Sequence, residues 1–295
     1  MKIGIVGGGA VGLYFAASLA EWFPVTIFTR TEEQSAVINE RGIVLREGDE
    51  ETAFFVQARP IDQLTLHSPE CLFIAVKQYN LASLLPILNK MDSHPALVFL
   101  QNGMGHLTQM KQLIHPHIFV AAVEHGILKS GSARVDIRGR GKTNVAVYRG
   151  SCQVIKTVTE QTAEVFPFEW RRNYESMLLR KMAANTVINP LTAMLNIRNG
   201  ELIANPHYLR IAKMIYKEFS SVFANQVHAE TWSEIVHICR TTAANRSSML
   251  RDIESGRPTE VDAIVGYVLL QASEKNIRVP VLEALYEMIK GLEHE

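Results

Sequence analysis

The first half of the chain alternates short apolar runs with segments of helical periodicity. "KIGIV" leads into a glycine-rich turn and then into "LYFAASLAEW", whose apolar residues recur at helical spacing. "VTIFT" reads as the next strand, and "EEQSAVINERG" as a helix ending at Gly42. "CLFIAV" and "ALVFL" are two further strand candidates. Strands that are apolar throughout, rather than alternating, indicate a parallel sheet covered on both faces. The pattern weakens from 105 to about 172, where "SARVDIRGRGKTNVAVY" reads as an antiparallel hairpin and "FPFEWRR" as a final strand. From Tyr174 onward nearly every segment is amphipathic helix, including "RIAKMIYKEFSSVFANQV", "TEVDAIVGYVLLQASEKN" and "VPVLEALYEMIKGLE". The expectation is an α/β domain of Rossmann type over 1–168, followed by an all-α domain over 169–295.

Composition narrows the function classes. The 295 residues are 47% hydrophobic, enough for a substantial core. Thirty basic residues balance thirty acidic ones, which argues against non-specific binding to nucleic acid or anionic membranes. No apolar run approaches the roughly 18 residues of a membrane span. The N-terminus enters a glycine turn after six residues, unlike a secretory signal. Cys71, Cys152 and Cys239 share no CxxC spacing, and the ten histidines show no H-E-x-x-H. A cytoplasmic protein without a metal is expected.

The glycine turn carries chemistry. Gly7, Gly9 and Gly12 form G-x-G-x-x-G directly after a strand and at the start of a helix. The first glycine permits the tight turn, the second lets backbone approach a pyrophosphate, and the third lets the helix pack on the sheet. With Gly8, Ala10 and Val11 they offer free N–H groups and a positive dipole end to phosphates. After "VTIFT" no Asp or Glu stands ready for a ribose 2′-OH; Arg30 follows instead. A guanidinium suits a 2′-phosphate, so NADP(H) is expected over NAD(H). "AVKQYN" and "FLQNGMG" follow apolar strands, which sets Lys77 and Asn102 toward the nicotinamide and substrate.

One helical stretch is unusual. In "RKMAANTVINPLTAMLN", Lys181, Asn185 and Asn189 fall four apart on one face of an otherwise apolar helix. Unpaired buried polar groups cost about 1–3 kcal/mol each, so such a face needs partners, and a substrate and cofactor would supply them. Pro190 donates no N–H, and a kink or helix end is expected there.

Together these features resemble the ketopantoate reductase family. The likeness covers "GIVGGGAVG", "AVKQYN", "LQNGMG", "RKMAANTVINPLTAMLN", "NGEL", "NRSSMLRDIESGRPTEVDAIVGY" and "VPVLEALYEMIK" in order. It implies NADPH-dependent reduction of a 2-keto acid, ketopantoate, to (R)-pantoate, a step toward pantothenate and coenzyme A. It implies Lys181 as the catalytic lysine, with Glu260 as an acidic partner that helps hold substrate. Asn185, Asn189, Asn199 and Ser248 would line the substrate pocket, with Asn245 nearby. Asn102 and Lys77 would stand at the nicotinamide end, and Arg30 at the 2′-phosphate. A paralogue acting on another 2-keto acid, or a non-catalytic NADPH sensor, are the competing readings. The apolar C-terminal helices could serve a homodimer or an internal core.

Overall fold

A computed structural model describes residues 1–294, so Glu295, the last residue of the expected second domain, lies outside the described residues. The chain forms two compact units, Met1–Gln101 with Thr108–Met177, and Asn102–Leu107 with the chain from Leu178 on. The fold is an N-terminal α/β part with a mostly parallel sheet and a helical C-terminal part, as expected. The contact units depart from a division after residue 168 in two respects. Residues 169–177 stay with the first unit, held by the strand Phe168–Trp170, and the loop 102–107 groups with the helices.

Among the described residues the first unit holds twelve strands. They are β1 (Ile3–Val6), β2 (Val25–Thr29), β3 (Ile43–Glu47), β4 (Glu50–Phe54), β5 (Gln57–Pro60) and β6 (Cys71–Ile74). They continue with β7 (Ala96–Phe99), β8 (Ile118–Val123), β9 (Gly126–Gly131), β10 (Arg134–Gly139), β11 (Thr143–Arg149) and β12 (Phe168–Trp170). The larger sheet runs β12-β11-β8-β7-β6-β1-β2-β5 and is parallel except between β8 and β11. The smaller sheet runs β4-β3-β10-β9.

Every residue of β1, β6, β7 and β8 is buried, which is why these strands are apolar at consecutive positions. Helix α1 (Ala10–Leu19) brings Phe15 against Phe73 of β6, with ring centroids 5.6 Å apart, and against Phe166 at 4.9 Å. Burying one such ring contributes about 1.5–3 kcal/mol. The chain moves from β1 to β2 and β5 on one side, then returns to β6, β7 and β8 on the other. The strand order therefore reverses between β1 and β6, and the crevice beyond their carboxyl ends is where open α/β sheets bind ligands.

"SARVDIRGRGKTNVAVY" is not a hairpin. Its halves, β10 and β11, lie in different sheets. β10 pairs antiparallel with β9 instead, and β11 with β8. The exposed Arg138–Gly139–Arg140 stretch is a crossover rather than a turn.

Six further helices follow α1 in chain order before the C-terminal set is complete. They are α2 (Glu32–Arg41), α3 (Leu81–Asn89), α4 (His106–Met110), α5 (Gln153–Gln161), α6 (Tyr174–Leu195) and α7 (Glu201–Ala204). Then come α8 (Pro206–Val222), α9 (Thr231–Thr241), α10 (Ser248–Glu254), α11 (Tyr267–Glu274) and α12 (Pro280–Leu292). Helix ends in the second unit are closed by distant side chains. The Glu218 carboxylate of α8 accepts from the backbone N–H of Val281 (2.9 Å) and Leu282 (2.8 Å) at the start of α12. Lys275 Nζ donates to the Val222 carbonyl at the end of α8 (2.7 Å).

Helix α6 does not end at Pro190. The proline removes one internal bond, and the helix continues to Leu195. Termination comes from Asn196, at φ +52°. Its N–H donates to Ala193 O (3.3 Å), and the N–H of Ile197 donates to Thr192 O (3.1 Å). This is the paired bonding of a left-handed C-cap, with asparagine in the place glycine usually takes.

Candidate active site

The glycine turn lies at the sheet's switch point, in the first unit. Gly7 has φ +113°, and a Cβ there would stand 3.1 Å from the Ala75 carbonyl, in the loop after β6. At Gly12 a Cβ would fall 1.8 Å from Gly7 O. Gly9, the N-cap of α1, differs: a Cβ there would meet nothing within 4 Å. No side chain caps the helix at Gly9. The turn is thus closed on its protein side and open beyond Gly9, at a helix start whose amides a side chain does not claim. That shape fits a dinucleotide pyrophosphate.

Arg30 is exposed just past β2, and Thr31 caps α2 through Oγ1, which accepts from Gln34 N at 3.3 Å. Thr31 and Gln34 have the spacing of a capping box, in which the glutamine would fold back on the threonine. Here it does not. Gln34 Nε2 donates to Gly8 O (2.8 Å) and to Ser132 O (2.6 Å), in the β9–β10 hairpin. Lys129 Nζ donates to the same Gly8 carbonyl at 2.8 Å. Neither residue was among the sequence candidates; the spacing from Thr31 was a signal for Gln34, but it pointed to a local cap.

Lys77 is half-buried and starts the short turn after β6, its carbonyl accepting from Asn80 N at 2.9 Å. Gln101, also not a sequence candidate, holds this loop. Its Nε2 donates to Ile74 O (2.9 Å) and Val76 O (2.8 Å) from a buried position at the end of β7.

The other candidates all belong to the second unit. On α6, Lys181 and Asn185 are half-buried one turn apart, and Asn189 is buried. Asn189 Nδ2 approaches Ser248 Oγ at 3.5 Å. Next to it, Thr192 Oγ1 donates to Ser247 Oγ (2.8 Å), which also caps α10 by accepting from Leu250 N (3.1 Å). These bonds fix the start of α10 against the polar face of α6. Asn199 is buried; its Nδ2 donates to Thr242 Oγ1 (2.9 Å), while Oδ1 has no hydrogen-bond partner. Its backbone N–H donates to Asn245 O at 3.0 Å. The Asn245 and Ser248 side chains are exposed.

Asn102 meets Glu260. Its Nδ2 donates to Glu260 Oε2 at 2.9 Å. The next residue, Gly103, has φ +74°, and a Cβ there would lie 2.0 Å from Ala263 O. Ala263 is within a π-helical turn, Asp262–Gly266, that leads into α11. Such turns widen a helix by one residue and are frequent at functional sites. Before Glu260, Thr259 is anchored by its N–H (2.7 Å) and Oγ1 (2.6 Å) to Glu293 Oε1. Burial raises the Glu293 pKa, but hydrogen bonds from Lys290 and Thr259 outweigh it and hold the carboxyl below its ordinary range.

The sequence candidates therefore fall into two sets. Gly7, Gly8, Gly9, Ala10, Val11, Gly12, Arg30 and Lys77 belong to the first unit. Asn102, Lys181, Asn185, Asn189, Asn199, Asn245, Ser248 and Glu260 belong to the second. Among the described residues, no group of three or more His, Cys, Asp or Glu is arranged to hold a metal ion. No helix among them is long and apolar enough to cross a membrane.

Residues 3–150 match the family model described as ketopantoate reductase PanE/ApbA, and residues 173–293 match its C-terminal companion. The chain belongs to the ketopantoate reductase family. A 2-dehydropantoate 2-reductase of Listeria monocytogenes is 38% identical over 299 residues, covering 100% of this chain and 98% of that one. The crystal structure of a probable 2-dehydropantoate 2-reductase from Bacillus subtilis superposes with a TM-score of 0.89 at 36% identity, covering 99% and 100% of the two chains. This ketopantoate reductase fold extends further. D-mandelate dehydrogenase, solved with NADH and anilino(oxo)acetate, gives a TM-score of 0.89 at only 20% identity, covering 100% and 98%. That likeness is one of fold alone. Membership makes the chain one of a family of dinucleotide-binding oxidoreductases.

Proposed function

We propose that the protein reduces ketopantoate to (R)-pantoate with NADPH. The observation that carries the reading is the polar face of α6, Lys181–Asn185–Asn189, in the same compact unit as the Asn102–Glu260 pair. Full-length kinship with enzymes named 2-dehydropantoate 2-reductase supports it. The backbone around Gly9 and the guanidinium of Arg30 would hold the cofactor. When bound, it supplies a hydride to the keto carbon.

The remaining chemistry falls to the chain's own side chains. Negative charge builds on the keto oxygen, and the Lys181 ammonium stabilises that charge and gives up a proton to the oxygen. Asn185 and Asn189 donate hydrogen bonds without adding charge, orienting lysine and substrate. Ser248 and Asn199 bind the substrate carboxylate. Glu260 is an acceptor when ionised, and with one oxygen engaged by Asn102 it takes a hydrogen bond from the substrate hydroxyl. Lys77 stands at the nicotinamide end.

A general acid contributes about 10²–10⁴-fold. Lys181→Ala is expected to lower kcat by that amount while the Kd for NADPH stays within about twofold. Turnover that survives the substitution would rule out the proton-donor role.

A further inference from the structure

We propose that Thr192 is a positioning residue for the keto acid: through Ser247 it sets Ser248 against the polar face of α6. The inference deepens the substrate reading above and rests on it.

Thr192 is fully buried, and Ser247 is 6% exposed. Thr192 Oγ1 donates to Ser247 Oγ at 2.8 Å, from α6 to the N-cap of α10. A helical threonine needs no such outside partner. Its hydroxyl can turn back to the carbonyl four residues earlier, and Ile188 O stands 2.7 Å from Oγ1. Ser247 Oγ accepts from Leu250 N at 3.1 Å and turns its own hydrogen toward Asn189 O at 3.5 Å. Beside this cluster, Asn189 Nδ2 faces Ser248 Oγ at 3.5 Å.

Two contacts thus run side by side between α6 and α10. The 3.5 Å contact is long for a hydrogen bond and holds Ser248 only loosely. The buried 2.8 Å contact is the tighter one, and it ends on the residue next to Ser248. Pro190 lies between Asn189 and Thr192 and takes one bond out of the α6 ladder, so an outside brace matters most here. Thr192 is sealed from ligand. Its effect on the substrate passes through the exposed Ser248, whose hydroxyl is set by its neighbour's bond.

Steady-state kinetics with NADPH and ketopantoate test this, on Thr192→Val, Thr192→Ser, Ser248→Ala and the Thr192→Val, Ser248→Ala double variant. Valine keeps nearly the volume of threonine and drops the hydroxyl. Thr192→Val is expected to raise the KM for ketopantoate about tenfold, with kcat and the Kd for NADPH within about twofold. Thr192→Ser keeps the hydroxyl and is expected to hold KM within about threefold of the unaltered protein. Melting curves of each variant establish folding. Should Thr192→Val fail to fold, Ser247→Ala breaks the same bond from α10 and is held to the same outcomes.

The double variant separates positioning from general packing. With Ser248 already truncated, Thr192→Val is expected to add less than about twofold to KM. A full further tenfold rise would overturn the inference, as would an unchanged KM in Thr192→Val or a Thr192→Ser as impaired as the valine variant. If Ser248→Ala raises KM while Thr192→Val does not, the substrate reading stands and this inference falls. If Ser248→Ala leaves KM unchanged, or the unaltered protein does not reduce ketopantoate, the substrate reading falls and takes the inference with it.

Discussion

Asn102 and Glu260 are 158 positions apart and joined by a 2.9 Å hydrogen bond from amide to carboxylate. The bond depends on Gly103, whose positive φ and close approach to the Ala263 carbonyl turn the loop after β7 into the helical unit. Gly103→Ala would place a methyl group 2.0 Å from that oxygen, in a conformation that alanine adopts at a cost. Overpacking and strain together amount to about 3 kcal/mol. The expected result is a melting temperature lower by about 5 °C or more, together with a raised KM for the keto acid. An unchanged melting temperature would mean the loop has room the geometry does not show.

Gly9 and Gly12 stand three residues apart in one motif for different reasons. Gly9 has φ −80°, which any residue adopts, and open space where its Cβ would go. Gly9→Ala is expected to leave the melting temperature within about 1 °C and to weaken NADPH at least about tenfold, because the methyl enters the phosphate cradle. Gly12→Ala would drive a methyl into Gly7 O and is expected to destabilise the first unit outright. Melting curves and fluorescence titration of the two variants check the contrast. Equal cofactor affinity in Gly9→Ala would remove the pyrophosphate from this turn.

His106 is fully buried, and burial pushes its pKa down to about 4. The ring is neutral in the folded protein, whereas in the unfolded chain it takes a proton near pH 6.5. The unfolded state thus binds more protons between those values. Stability is complete above about pH 6.5 and falls as the pH drops toward 4. Replacing the ring by His106→Leu removes one such proton, and is expected to flatten the slope by up to about 1.4 kcal/mol per pH unit. Urea midpoints at pH 7 and pH 5 measure it. His115, also pushed down to about 4 by burial, with His94 and Arg149 adding to the effect, maintains a second slope of the same sign. An identical pH dependence in His106→Leu would show that another group carries the effect.

The sheet strands "IGIV", "VTIFT", "CLFI" and "ALVF" were legible because they are apolar at nearly every position. β4 was not, because all of its residues but Phe54 are exposed, three of them are polar, and nothing local distinguishes them from a loop. β8, "IFVAAV", has the same apolar signature as the core strands, but its antiparallel partner, β11, is a long-range pairing that no spacing encodes. The false hairpin has the same origin. β10 and β11 each alternate well, and only the tertiary fold sends them to different sheets. Of the site, the residue types on α6 and in the glycine turn were visible as pattern. What remained hidden was partnership: Asn102 joining Glu260, Gln34 leaving its own helix cap for Gly8, and a π-helical turn behind Glu260.

The central claim is reached most directly by following NADPH oxidation, at the nicotinamide absorbance, with ketopantoate and with a panel of other 2-keto acids, NADH run in parallel. The account predicts the highest kcat/KM for ketopantoate with NADPH, at least about tenfold above NADH. Tight NADPH binding with no turnover of any keto acid, or a higher kcat/KM for another keto acid or for NADH, would contradict it.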